Sequence, residues 1–373
     1  MIHPRSVAAG LLVIAFALSA AACGGVKNPE GWASPVDQDS TLFYFPEKDR
    51  VAAVRLEDGF ARQAWTFPAD NREDHEDLKF KAVYDAAIAD GILYFGAWDG
   101  PVLALHTENG EVAWAFDRVQ GGIVGGPVVQ DGIVAFGTTE GRIYVRDART
   151  GEPAPGWPEN GLDLSDGIWA PPVIEEGRLF IATMGGDLLA FDLASGREAW
   201  DAPFEASGAI ADLALVAPGR LFVPSLDKRV RLVDTATGRP IGPAFVARDW
   251  IWTRPAVADG YMYFGDFSGN VYALSIENLS ERWIPYDAGK RIKAAPVVIG
   301  DTLVVATRDP EVHFIDIRNG QRLNTVPIPD AGTVRAGLIE HDGMAIVATT
   351  RGRLFVADPE SWRVVGLDVA GAQ

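Results

Sequence analysis

Trp32, Trp169, Trp252, Lys293 and Arg335 hold the same place in copies of one repeated segment, three residues ahead of a short opening strand. The remaining copies put Val83, Val124 and Ala211 there. Three indoles, an ammonium and a guanidinium at one level supply no nucleophile and no metal-ligand set. Their chemistry is recognition, either of a protein partner or of a small ligand or sugar held against aromatic faces. Tyr84, Asp85, Asp212 and Arg254 stand beside the column in sequence and add polarity to it. The same residues would also serve as a plug, with the aromatics filling a channel and the cations offsetting an acidic surface. Other reactive types are sparse. His3, His75, His106, His313 and His341 fall at no metal-ligand spacing, no phosphate loop or nucleophile motif is present, and Cys23 is the single cysteine. No cofactor or metal site is expected, and the protein is not expected to be an enzyme.

A column of this kind needs a repeating frame to hold it. The stretch DGILYFGAWDGPVLALHTENGEVAWAF, residues 90–116, has three strand-forming runs separated by two Gly-containing tight turns, which makes an antiparallel meander. Its second turn, at Gly110, recurs at Gly151, Gly196, Gly238, Leu279, Gly320 and Trp362, 41 to 45 residues apart. A degenerate copy ends at Gly59, and the longer gap after it holds the acidic insertion NREDHED, read as a solvated loop. Each unit opens with one more short strand, as in GPVVQDG and RPAVADG. Eight units of four strands at this period predict an all-β fold, a single eight-bladed β-propeller of four-stranded antiparallel blades over residues 34–369. The opening strand of a blade is innermost, so the column should ring one mouth of the central channel. Blade 1 carries its own opening and closing strands and blade 8 ends in RVVGLDV, so the ring is expected to close without a strand borrowed across the seam.

Two further columns read as structure. Asp147, Asp192, Asp234 and Asp316 each precede a turn glycine by four residues, where a short carboxylate accepts backbone N–H bonds. Trp65, Trp114, Trp157, Trp200 and Trp283 fall where closing strands are expected, and each offers a large flat area for packing.

Residues 1–22 combine a weakly basic start, the apolar run VAAGLLVIAFALSA and a small-residue site ahead of Cys23. They resemble a bacterial lipoprotein signal, which implies lipidation of Cys23 and a short tether, residues 23–33. Ala20 stands where that signal favours Leu, so an ordinary secretory signal or an uncleaved anchor is the alternative. Each places the ring outside the cytoplasm, held to a membrane when anchored: the periplasmic face of an outer membrane where the cell has one. With 33 Lys and Arg against 51 Asp and Glu, the net charge of −18 disfavours nucleic acid and anionic lipid surfaces.

The units P-V-x-x-D-G-x-L-Y-F-G and D-G-x-V-x-A-L-D-x-x-T-G-x-x-x-W resemble the pyrroloquinoline-quinone-type propeller repeat. That repeat is shared by quinoprotein alcohol and glucose dehydrogenases and by the BamB family of outer-membrane assembly lipoproteins. The resemblance covers almost all of the chain after the leader and implies that the recurring tryptophan packs one blade onto the next. The dehydrogenases need a calcium site, a catalytic Asp on blade insertions and commonly a vicinal disulfide. Here the blades are nearly minimal and no cysteine pair exists. The chain looks most like the BamB family, which implies a non-catalytic scaffold that docks on the β-barrel assembly machinery.

If Cys23 carries the lipid, Cys23→Ser should move the protein from the membrane to the soluble extracytoplasmic fraction. Acyl chains contribute ~0.8 kcal/mol per buried CH₂, and an acidic ring offers no comparable affinity. Membrane fractionation of the variant is the measurement. Unchanged membrane association would mean an uncleaved anchor or a tightly bound membrane partner.

Overall fold

The computed structural model describes residues 31–57, 60–69 and 78–370; Cys23, the leader and most of the acidic insertion, including His75, lie outside them. The described residues form eight antiparallel meanders of four strands and no helix, arranged as an eight-bladed β-propeller. Blade 2 is typical, with strands Lys81–Ala89, Ile92–Asp99, Val102–His106 and Val112–Phe116 hydrogen-bonded in chain order.

The apolar runs follow from burial on both blade faces. Thr302–Ala306, a second strand, is buried at all five positions, because alternate side chains enter the junctions to the blades on either side. The core is accordingly a ring of separate clusters. Tyr94 and Phe136 share one between blades 2 and 3, Phe180 and Leu221 one between blades 4 and 5, and Leu42 and Ile346 one between blades 1 and 8.

A tryptophan and a glycine close most of these junctions. Trp200 is 7% exposed, its Nε1–H donates to the Thr235 carbonyl of the next blade at 3.0 Å, and its ring lies on the turn at Gly238. Trp65, Trp114, Trp157 and Trp283 donate in the same way to Thr107, Ala148, Leu193 and Ile317. A Cβ on Gly238 would sit 2.7 Å from the indole, so the glycine is needed for the approach as well as for its φ of +70°. Three junctions lack the indole, with Gly242, Asn324 and Gly366 in the tryptophan position of blades 5, 7 and 8, and at the first two the facing turn changes too. Blade 5 has Gly242 in the tryptophan position, and blade 6 fills the space with Leu279, packed near Ile241. Blade 7 has Asn324, whose Nδ2–H donates to the carbonyl of Trp362 at the blade 8 turn.

The recurring aspartates build turns, as expected. The Asp147 carboxylate accepts the backbone N–H groups of Arg149 and Thr150, and the bond from Thr150 holds it below the usual carboxylate range.

Two expectations need correcting. Trp157, Trp200 and Trp283 lie outside strands, because the closing strands of blades 3 to 6 shrink to pairs such as Phe204–Glu205, joined upstream by single bridges such as Phe191↔Glu198. The seam also carries a borrowed pairing. Blade 8 ends its own sheet at Leu367, and Val369–Ala370 pairs in parallel with Ala61 and Arg62 on the outer edge of blade 1. An unpaired edge offers backbone donors and acceptors, and the tail satisfies two residues of it. On the inner side, Gly337 N–H donates to Ser34 Oγ at 2.8 Å, so the seam is tied at both radii.

The indole contact can be separated from the backbone strain. Gly260 has a φ of +76° and open space where a methyl would stand, so Gly260→Ala should cost roughly 1 to 2 kcal/mol for the left-handed backbone alone. Gly238→Ala should exceed it by at least ~1 kcal/mol through overpacking, and Trp200→Ala should cost about 3 to 5 kcal/mol. Denaturant unfolding of the three variants checks this. Equal costs for the two glycines would remove the indole from the account.

Candidate binding site at the channel mouth

Each column residue is placed by its neighbour. In six blades it follows a buried aliphatic, Ile123, Ile168, Ile210, Ile251, Ile292 or Val334, none more than 1% exposed. Gly137 and Gly265 of the second strands leave room for that anchor: a Cβ there would lie 2.2 and 2.4 Å from Ile168 and Ile292. A backbone latch fixes the level of the loop. Phe267 N–H donates to the Trp250 carbonyl and Arg308 N–H to the Arg291 carbonyl, a bond that recurs at the same offset around the ring.

The ring closure brings Trp32, Val124, Trp169, Ala211, Trp252, Lys293 and Arg335 around one axial cavity of about 260 Å³. Val83 does not join them. It is buried beneath Gly31 and Trp32, whose N–H donates to the Val83 carbonyl at 3.0 Å. A register shift between Val83 and Ala86 puts Tyr84 on the cavity in its place.

The aromatics form a continuous arc. Centroids lie 4.3 Å apart for Trp32 and Tyr84, 6.2 Å for Tyr84 and Trp98, 6.5 Å for Trp98 and Trp169, and 6.0 Å for Trp169 and Trp252. Phe267 stacks on Trp252 at 6.1 Å. Trp98 and Phe267 escape a reading of the opening-strand column because they belong to a second one, two residues after Gly96, within its second strand, and Gly265, at the end of its own. Aligning that turn exposes them, along with Arg308 at the same position in blade 7.

Charge is divided across the mouth. The Lys293 ammonium lies 4.8 Å from the Trp252 centroid and 5.4 Å from those of Trp32 and Phe267, while Arg335 lies 5.4 Å over Trp32 and Arg291 5.0 Å over Phe267. Burial, then Arg335, Arg308 and Arg291, pull the Lys293 pKa down to about 8. Arg254 lines the same cavity and is ion-paired across it. Its Nη2 meets Asp85 of blade 2 at 2.6 Å and its Nε approaches Asp212 of blade 5 at 3.7 Å. It is a tie across the axis. Asp85 raises the Arg254 pKa, and burial pushes Asp212 up to about 6 against the opposing pull of Arg254.

Comparison with known proteins bears on what this ring is similar to. The sequence profile of the family described as outer membrane protein assembly factor BamB matches residues 32–157 and 154–361. The BamB of Bordetella pertussis is 27% identical over 300 residues, 75% of this chain and 76% of that one. The BamB of Yersinia pestis is 24% identical over 343 residues, 87% and 84% of the two chains. The crystal structure of BamB from Moraxella catarrhalis superposes with a TM-score of 0.67 at 16% identity, covering 91% of this chain and 95% of that one, a likeness of fold.

The axial tie makes stability depend on pH in a stated direction. Asp212 has a folded pKa of about 6 against 3.8 for the ordinary carboxyl, so the native state holds the proton more tightly than the unfolded chain. Stability from this group is therefore greatest below pH ~4 and declines as the pH rises through 6, by roughly 3 kcal/mol. Asp212→Asn keeps an acceptor for the Leu213 N–H and should remove that slope. Urea unfolding of both proteins from pH 4 to 7 is the test. A wild-type-minus-variant difference that stays flat would mean that Asp212 ionises as an ordinary carboxyl.

Proposed function

The chain belongs to the family of the outer-membrane protein assembly factor BamB, and from that membership we propose that it is a non-catalytic, lipid-tethered scaffold that assists insertion of β-barrel proteins into an outer membrane. The observation that carries this reading is the extent of the family match, which runs through all eight blades from residue 32 to residue 361. Lipidation at Cys23 would hold the ring close to its membrane, since about ten residues separate that cysteine from blade 1.

A ring of this construction suits docking better than turnover. Its frame is rigid, its outer edges are short, and apolar side chains stand in solvent near them: Val246 is 63% exposed and Ile284 86%. Partner loops or extended client strands would meet backbone edges and isolated apolar anchors there, the pattern of strand addition. The net charge of −18 favours partners with basic patches.

Photo-crosslinking in intact cells from positions 246 and 284, followed by identification of the products, tests the role. Components of the β-barrel assembly machinery should be recovered, and deletion of the gene should lower the amounts of outer-membrane β-barrel proteins. Unchanged barrel-protein amounts, with no assembly component crosslinked, would overturn the proposal.

A further inference from the structure

The axial mouth combines an aromatic arc with a group of cations, and the docking role above uses neither. The two halves of the mouth are electrically different. On the side of blades 2, 5 and 6, the carboxylates of Asp85 and Asp212 are met by Arg254. On the side of blades 7 and 8, Arg291, Lys293, Arg308 and Arg335 come together, and the charges acting on Lys293 are those of the three arginines. The Lys293 ammonium is set over three rings, whose quadrupoles attract it but accept none of its hydrogen bonds as an oxygen would. Among the described residues its neighbours are rings and other cations, which leaves it a charged donor facing the cavity. In a chain of net charge −18, Lys293 and Arg335 on the cavity wall, with Arg291 and Arg308 close enough to act on Lys293, are a local reversal of sign.

From this geometry we infer that the mouth is a binding site for a small organic anion, a carboxylate carried on a flat apolar body. The carboxylate would take the Lys293 side of the cavity, within the field of the neighbouring arginines, and the flat group would lie against Trp252 and Trp169. Size favours a small occupant, since about 260 Å³ falls just below the roughly 300 to 1,000 Å³ usual for small-molecule pockets. A sugar would find the stacking faces, but its hydroxyls give the cations no charge to neutralise. A larger macromolecular segment would not enter, because Arg254 already spans the axis to Asp85. The inference is independent of the docking role and survives its failure.

Protonation supplies a signature. An anion binds the charged ammonium, so affinity should fall as the pH rises through about 8, where Lys293 loses its proton in the empty site. The charged groups facing Lys293 are Arg291, Arg308 and Arg335. Across the cavity Asp212 titrates near 6, below the window, and Asp85 is engaged by Arg254.

The test is calorimetric titration of the purified full-length protein with 2-naphthoate, with 2-naphthamide and acetate as the neutral and the non-aromatic probes. Saturable one-to-one binding of 2-naphthoate is expected, about tenfold or more tighter than either control, as loss of a charge-assisted hydrogen bond or of the stacking face implies. Lys293→Met should weaken binding about tenfold and flatten its dependence on pH between 7 and 9. Arg291→Gln, at an exposed position, should weaken binding with the unfolding transition unchanged and so guards against a folding defect in the first variant. Equal affinity for 2-naphthoate and 2-naphthamide, a flat pH profile in the wild type, or no saturable heat would each overturn the inference.

Discussion

The contact between an indole and a glycine across consecutive blades is the constraint on which the ring depends. A blade cannot bury either face alone, so its stability resides in the junctions, and a closed ring needs every junction at once. The flat tryptophan covers the outer end of a junction, ties itself to the next blade by one N–H bond, and demands a turn without a Cβ opposite. Two of the three junctions that lack the indole show the same rule in reverse. Where Gly242 leaves space, Leu279 enters it from the next blade, and where Asn324 keeps only the hydrogen bond, the facing turn carries Trp362. Volume at the junction is thus kept while its source moves from one blade to the other.

Closure then converts spacing along the chain into proximity around an axis. Residues some 42 positions apart meet at one mouth because, in six blades, each follows a buried aliphatic that pins its loop between blades. The anchors are nearly uniform while the residues after them vary. Rigidity in the first is what allows diversity in the second, since an exposed side chain can change without disturbing the packed one beside it. The Arg254–Asp85 contact, 169 residues apart in sequence, forms only when opposite sides of the ring are in place.

Period and turn chemistry made the architecture legible: eight units, four strands each, with tryptophans and aspartates in structural roles. The mouth was legible as a column of residue types but not as a site. A register shift hides Val83 and presents Tyr84, and no local pattern in KAVYDAAIA signals it. Trp98 and Phe267 belong to a different turn and join the arc only through the geometry of the ring. Arg254 reads as a free rim cation until Asp85 and Asp212 are brought against it from two other blades. The tail at Val369–Ala370 reads as the end of blade 8, yet the vacant edge of blade 1 is the nearer source of hydrogen bonds. What failed in each case was a long-range pairing, which local propensity does not encode.

The electrostatics of the mouth set limits on how any anion would reach it. At physiological ionic strength the field of the acidic surface decays over a Debye length of about 8 Å, so repulsion acts mainly on the approach. Within the cavity Arg254 answers Asp85 and Asp212, while Lys293 and Arg335 stand on the other side of the wall, where burial weakens their screening. Approach is therefore slowed while residence is favoured, which selects for occupants that make short-range contacts with both the rings and the cations. An ion lacking the flat apolar body would meet the same repulsion on approach without the stacking contact that offsets it. A neutral aromatic would enter freely and leave the ammonium unanswered. Selectivity at such a site comes from requiring the two features together, and the rigid ring is what keeps the indoles and the cations at a fixed distance from one another.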